Sequence, residues 1–160
     1  MIDLSQETIY RYKQFIDWTD TLRDLNDNIW FSSIAEGKAT VAEIISHLRQ
    51  WDHYLLHTII PALRTGEGMV FPDFDSFNQQ AYEFARSGVT KDSMLDEFKQ
   101  TRLQLVETLL AEPDIAAKHV TANGIANCPH TGTPYSLLYI IYEFIQHDIH
   151  HQNQILSVIG

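Results

Sequence analysis

This 160-residue chain predicts an all-α, four-helix bundle, on three observations. Four long segments carry apolar residues at three- and four-residue spacing, the period of a helix face. Capping or helix-breaking residues bound those segments. No pair of alternating stretches reads as strands, and neither an internal repeat nor a low-complexity tract interrupts the pattern.

The first segment runs from about Ser5 to Leu25, with Ile9, Tyr12, Phe15, Ile16, Thr19 and Leu22 on one stripe, and Asn26-Asp27-Asn28 breaks it. After a loop at Glu36-Gly37-Lys38, Thr40 and Glu43 form a capping box that opens the second helix. That helix continues through Ile44, Leu48, Trp51, Leu55 and Ile59 toward Gly66, with Pro61 placed to kink its last turn. A turn-rich stretch, Gly66 to Asp75, leads to a short helix from Ser76 to Arg86, closed by Ser87-Gly88. Thr90 caps a third long helix carrying Met94, Leu95, Phe98, Leu103, Leu105, Val106, Leu109 and Leu110, which Glu112-Pro113-Asp114 stops. Ala116 to Pro134 is the longest irregular piece, and the last helix fills Tyr135 to about Ile159. The amino and carboxyl halves are each expected to give a helix pair.

At this length the chain is expected to form one domain over residues 1–160, burying about 70% of its unfolded surface. Its single cysteine, Cys128, excludes an internal disulfide framework and fits a reducing compartment. Met1 to Gln6 shows no leader pattern, and no apolar run is long enough to span a membrane, so a cytoplasmic location is expected. The net charge of −10, without a Lys or Arg cluster, argues against nucleic acid and anionic membranes as partners. A small-molecule substrate is the expectation that remains.

Histidines carry the functional signal. In His147-Asp148-Ile149-His150-His151, His147 and His151 stand four apart, which on a helix brings their Cβ atoms within about 5–6 Å. Helical phase places both on the stripe of Ile140, Phe144, Ile155 and Val158, while His150 turns off it. The same count puts His47 inward with Ile44, Leu48, Trp51, Leu55 and Thr58. For each histidine taken alone the alternative is a core residue hydrogen-bonded to a neighbour. Three together, two at ligand spacing, point to a metal ion. Three neutral imidazoles leave a fourth position open, as in catalytic zinc sites; imidazole also suits nickel, iron or copper, so ligand type does not fix the metal. A rival pair, His53 and His57, lies in phase with Arg49 and Gln50 on the polar side and lacks an enclosing shell.

The stretch VAEIISHLRQWDHYL around His47 and the terminal HDIHHQNQI resemble the DinB/YfiT-like superfamily over nearly the whole chain. The resemblance implies a four-helix bundle, often homodimeric, with one divalent metal, zinc or nickel, held by His47, His147 and His151. His150 recurs in the motif without being a ligand. Some relatives resemble thiol S-transferases that use a low-molecular-weight thiol cosubstrate. The expected function is therefore metal-dependent small-molecule chemistry, S-transfer or hydrolysis. Where relatives often have Arg-Gly-Gln after the double histidine, this chain has Gln152-Asn153-Gln154, which removes a basic residue. The competing class is a non-catalytic metal-binding or dimeric interaction protein.

Other residues complete the reading. Glu143 and Gln154 are candidates to orient the histidines, or else surface residues. Tyr54 reads as core filler, with a hydroxyl near the metal as the alternative, and Phe71, Phe74 and Tyr135 as pocket lining. Cys128, close to His130, reads as an incidental thiol because no neighbour in sequence would lower its pKa. On the last helix Leu138, Ile141 and Ile145 form a second apolar face, offered either to a dimer partner or to other helices of the chain.

Overall fold

The computed structural model describes residues Leu4–Ile159. The outer ends of the expected domain, and the first half of the leader reading at Met1–Gln6, fall on Met1–Asp3 and Gly160, outside the described residues. In chain order the helices are α1 (Leu4–Thr21), α2 (Asp27–Trp30), α3 (Val41–Tyr54), α4 (Ile60–Arg64), α5 (Phe74–Ala85), α6 (Lys91–Ala111), α7 (Pro113–Ala117) and α8 (Leu137–Ile159). Among the described residues there are isolated bridges but no strands. The four long helices are the expected ones and form a four-helix bundle.

Local chemistry accounts for their limits. Thr40 Oγ1 accepts from the Glu43 N–H while Glu43 accepts from the Thr40 N–H, so the capping box forms. Thr90 caps α6 through the Ser93 N–H. Two boundaries differ from expectation. Asn26 does not simply break the chain: its side chain accepts from the Ile29 N–H and starts the short α2. Helix α5 begins at Phe74, because Asp73 rather than Ser76 is its N-cap, accepting from the Ser76 N–H.

Pro61 has an upstream effect as well. Between α3 and α4 the helix does not stop but widens into a π turn, Leu55–Ile59. Proline lacks the N–H that would close an ordinary helical turn there, and its ring crowds the carbonyl one turn back. The wider turn accommodates one extra residue and shifts the downstream phase. Thr58, expected inward, is therefore exposed, and Leu56, Ile59, Ile60 and Leu63 take over the core face.

Helix neighbours also differ from the expected pairs within each half. Helix α6 packs against both α1 and α3, and α1 packs against α8, so α1 and α3 sit on a diagonal. The long connections, Leu22–Thr40 and the α5 segment, let each half straddle the other instead of closing on itself. Helices α3 and α8 are adjacent but approach each other far less closely than α3 and α6 do. Leu138 is half-buried and Ile141 and Ile145 are buried within the chain, so the second face of α8 is covered by its own bundle.

Two apolar clusters fill the bundle. One holds Ile9, Leu55, Leu105 and Ile145, the other Phe15, Leu48, Phe98 and Ile155. Between them lies a buried polar layer that periodicity did not reveal. Arg102 is 1% exposed and donates from Nε to Asp52 Oδ2 at 2.8 Å and from Nη2 to Asp52 Oδ1 at 3.1 Å. Its Nη1 donates to Asp148 Oδ2 at 2.8 Å and to the Tyr12 carbonyl at 3.4 Å. The guanidinium lies 3.7 Å from the Tyr12 ring centroid, and the Tyr12 hydroxyl donates to Asp52. Each long helix contributes one member. Burial works against the Arg102 charge, but Asp148 and Asp52 outweigh it and hold the guanidinium well above its usual range. Burial lifts Asp148 to about 7 against the pull of Arg102.

Replacing Arg102 with Met should cost about 3–5 kcal/mol in urea unfolding, because two carboxylates would be stranded in the core. Adding Asp52→Asn and Asp148→Asn should recover part of that loss. If Arg102→Met unfolds at the wild-type midpoint, the layer contributes nothing to stability.

Candidate metal centre

Helices α3 and α8 supply the three histidines, and second contacts fix their orientation. His47 is 2% exposed and sits two turns into α3. Its Nδ1 lies 2.6 Å from the Ile44 carbonyl, which can only accept, so Nδ1 carries the proton and Nε2 keeps its lone pair. His151 Nδ1 lies 2.7 Å from Gln154 Oε1, which orients its ring in the same way. His151 Nε2 in turn lies 2.9 Å from His147 Nε2. The ring centroids are 5.4 Å apart for His47–His147, 4.7 Å for His47–His151 and 4.3 Å for His147–His151, each pair close to perpendicular.

One nitrogen from each histidine lies within 4.8 Å of the other two. In this structure an Nε2–H of His147 can donate to His151 Nε2; with that proton on Nδ1 instead, three lone pairs converge and the donor set fits a divalent ion of the zinc type. Burial and the neighbouring imidazoles keep the rings neutral, the protonation state a ligand needs. Burial, then His151 and His147, push His47 down to about 3. Burial and His151 push His147 down to about 4, and burial lowers His151.

Helix α5 holds the site from outside. Ser46 Oγ donates to the Ala81 carbonyl at 2.6 Å, Gln50 Nε2 to the Phe77 carbonyl at 2.6 Å, and Trp51 Nε1 to Asn78 Oδ1 at 2.9 Å. The two long loops are knitted together: Met69 N–H donates to the Thr121 carbonyl and Asn123 N–H to the Met69 carbonyl, both at 2.8 Å. The Phe71 N–H donates to Asn123 Oδ1, also at 2.8 Å. Gly68 permits this approach, since a Cβ there would collide with Thr121 Oγ1.

Below the loops lies a cavity of about 430 Å³ that includes Trp51, Phe71, Phe74, Tyr135, Phe144 and His147 in its wall. His147 is exposed, so the histidine cluster is open on one side. Phe71, Phe74 and Tyr135 line the cavity as the sequence suggested. Glu143 also faces it, without a hydrogen bond to a histidine among the described residues, so of these two candidates it is Gln154 that orients one. Tyr54 does not reach the cluster; its hydroxyl donates to the Val70 carbonyl. His53 and His57 lie with ring centroids 4.2 Å apart and the rings tilted, both exposed on the outer face of the helix. His150 is exposed.

Cys128 differs from the sequence reading. It is buried, its Sγ lies 3.9 Å from Glu143 Oε1, and the Tyr139 and Thr131 hydroxyls beside it lower its pKa to about 7. Those partners come from the loop and α8 and are legible only once the chain is folded.

The histidine environment has a pH consequence in the metal-free chain. His47 resists protonation when folded but binds a proton near 6.5 when unfolded, so its contribution to stability is present above 6.5 and lost as pH falls toward 3. Wild type should therefore lose stability relative to His47→Gln across that window, read by urea unfolding at successive pH values. Parallel curves for the two proteins would contradict a buried, neutral His47.

Residues 16–155 match the family model of the DinB superfamily. No curated protein matches the chain. The fold is similar to YfiT from Bacillus subtilis, described as a probable metal-dependent hydrolase with an unusual four-helix bundle topology. The TM-score is 0.74 at 12% identity, covering 96% of this chain and 85% of that one. At that identity the likeness speaks for the fold. With its family match spanning nearly the whole sequence, the chain belongs to the DinB superfamily.

Proposed function

We propose that this chain is a metal-dependent enzyme acting on a small molecule, with His47, His147 and His151 holding one divalent ion, zinc or nickel. The observation that carries the reading is the convergence of three neutral imidazoles on the wall of an apolar cavity. When bound, such an ion supplies Lewis acidity and makes a bound water or thiol acidic enough to act as a nucleophile near neutral pH. The chain's own part is positioning. The Ile44 carbonyl and Gln154 fix two of the rings, and Trp51, Phe71 and Phe144 keep the inner wall apolar.

Hydrolysis is the first choice of reaction class. It agrees with the description of YfiT, and the cavity wall contains no Lys or Arg to receive an anionic thiol cosubstrate. Thiol S-transfer is the second, suggested by the resemblance to S-transferases. A cytoplasmic, reducing setting fits the single unpaired Cys128.

Metal analysis of untagged protein should return about one zinc or nickel per chain. His147→Ala and His151→Ala should abolish tight binding, while His53→Ala should retain it. Ester and amide panels, with thiol-conjugation assays beside them, then separate the two reactions. Cys128→Ser should keep whichever activity appears. A metal-loaded chain inert in every assay would be a binding protein rather than an enzyme.

We also propose a homodimer, built on the outer face of α8, where Tyr142, Ile149 and Leu156 are exposed at seven-residue spacing. Sedimentation at micromolar concentration should show a dimer that Ile149→Asp dissociates. A monomeric wild type would remove the dimer and leave the metal reading untouched.

A further inference from the structure

The cavity beside the histidines has a chemical polarity that suggests what enters it. Its wall holds five aromatic rings, from Trp51, Phe71, Phe74, Tyr135 and Phe144, and one carboxylate, Glu143. Trp51 is the centre of this aromatic group: its ring lies 4.5 Å from Phe77, 5.3 Å from Phe74, 6.1 Å from Phe144 and 6.4 Å from Phe71. Aromatic faces carry negative partial charge and attract cations, most strongly where water is excluded. Among the described residues no Lys or Arg pairs with Glu143. Its polar neighbours are the Cys128 thiol, at 3.9 Å, and the Tyr139 hydroxyl. Glu143 is exposed where it borders the aromatic wall, so its carboxylate is open to a cationic group on a ligand that enters the cavity.

We propose that this cavity selects a small molecule with a cationic amino group on an apolar or aromatic body, with Glu143 as its counter-ion. The inference rests on the proposed function in taking the histidines as the reacting end of the same cavity. Glu143 precedes His147 by four residues on α8, so the two stand just over one helical turn, about 6 Å, apart along the axis. An amine seated at Glu143 would present a group a few bonds away to the histidine cluster. Anionic compounds would meet the Glu143 carboxylate and the aromatic faces and be rejected.

Three probes of similar size separate the possibilities: 2-phenylethylammonium, 2-phenylethanol and phenylacetate. Binding to the full chain is followed through the Trp51 indole N–H signal by NMR, with metal removed by chelator and again after zinc addition. The ammonium should bind about tenfold more tightly than the alcohol, and phenylacetate more weakly than either. Glu143→Gln should weaken binding of the ammonium about tenfold and so erase its preference over the alcohol. Equal binding of ammonium and alcohol, a preference that survives in Glu143→Gln, tightest binding of phenylacetate, or no binding of the ammonium would overturn the proposal. Zinc titration of the same samples keeps the readings apart. Zinc bound without amine selectivity defeats only the substrate class, and amine selectivity without zinc binding defeats only the metal centre.

Discussion

The bundle is organised around a charge that it cannot expose to water. Arg102 is enclosed by all four long helices, and its donors are taken up by Asp52, Asp148 and the Tyr12 carbonyl. Removing a guanidinium from water is expensive, and the cost is offset only if every partner is in place at once. A slide of α1, α3, α6 or α8 by one residue would break at least one of these contacts. Apolar clusters on either side tolerate many packings of similar volume. The polar layer does not, so it fixes the relative heights of the helices.

The histidine cluster depends on that register. Asp148 follows His147 directly, and Asp52 lies five residues beyond His47 on α3. Fixing the two carboxylates around one arginine therefore also fixes where the histidine faces meet. Because α3 and α8 approach each other loosely, the gap between them can hold imidazoles and an open cavity rather than interdigitated leucines. Helix α5 and the knitted loops then close the side that the bundle leaves open.

Much of this was legible in the sequence, for definite physical reasons. Period and caps give the four long helices, and the Thr40–Glu43 box gives the start of α3 almost to the residue. Helical phase alone turns His47, His147 and His151 inward and His53, His57 and His150 outward. What failed did so where a non-local contact outweighed a local rule. Arg102 drew no reading at all, because its partners are 46, 50 and 90 positions away. Thr58 was misplaced because periodic counting cannot anticipate a π turn. The shift at Cys128 arises from Thr131 and Tyr139, which only the folded loop brings alongside. Glu143 was in view as a histidine partner, but its place in the aromatic wall emerges only with α5 and both loops in position.

The knitted loops have a kinetic meaning. Met69, Phe71, Thr121 and Asn123 bind one segment to the other through backbone groups and the Asn123 side chain, and α5 is pinned to α3 by three side-chain bonds. Opening that roof would break several of these bonds together, which sets a cost on any movement of one loop without the other. For a ligand that enters with the roof in place, arrival is limited by diffusion and by the shedding of water. Differences in affinity among ligands then appear as differences in residence time, each ligand staying as long as its own contacts hold it.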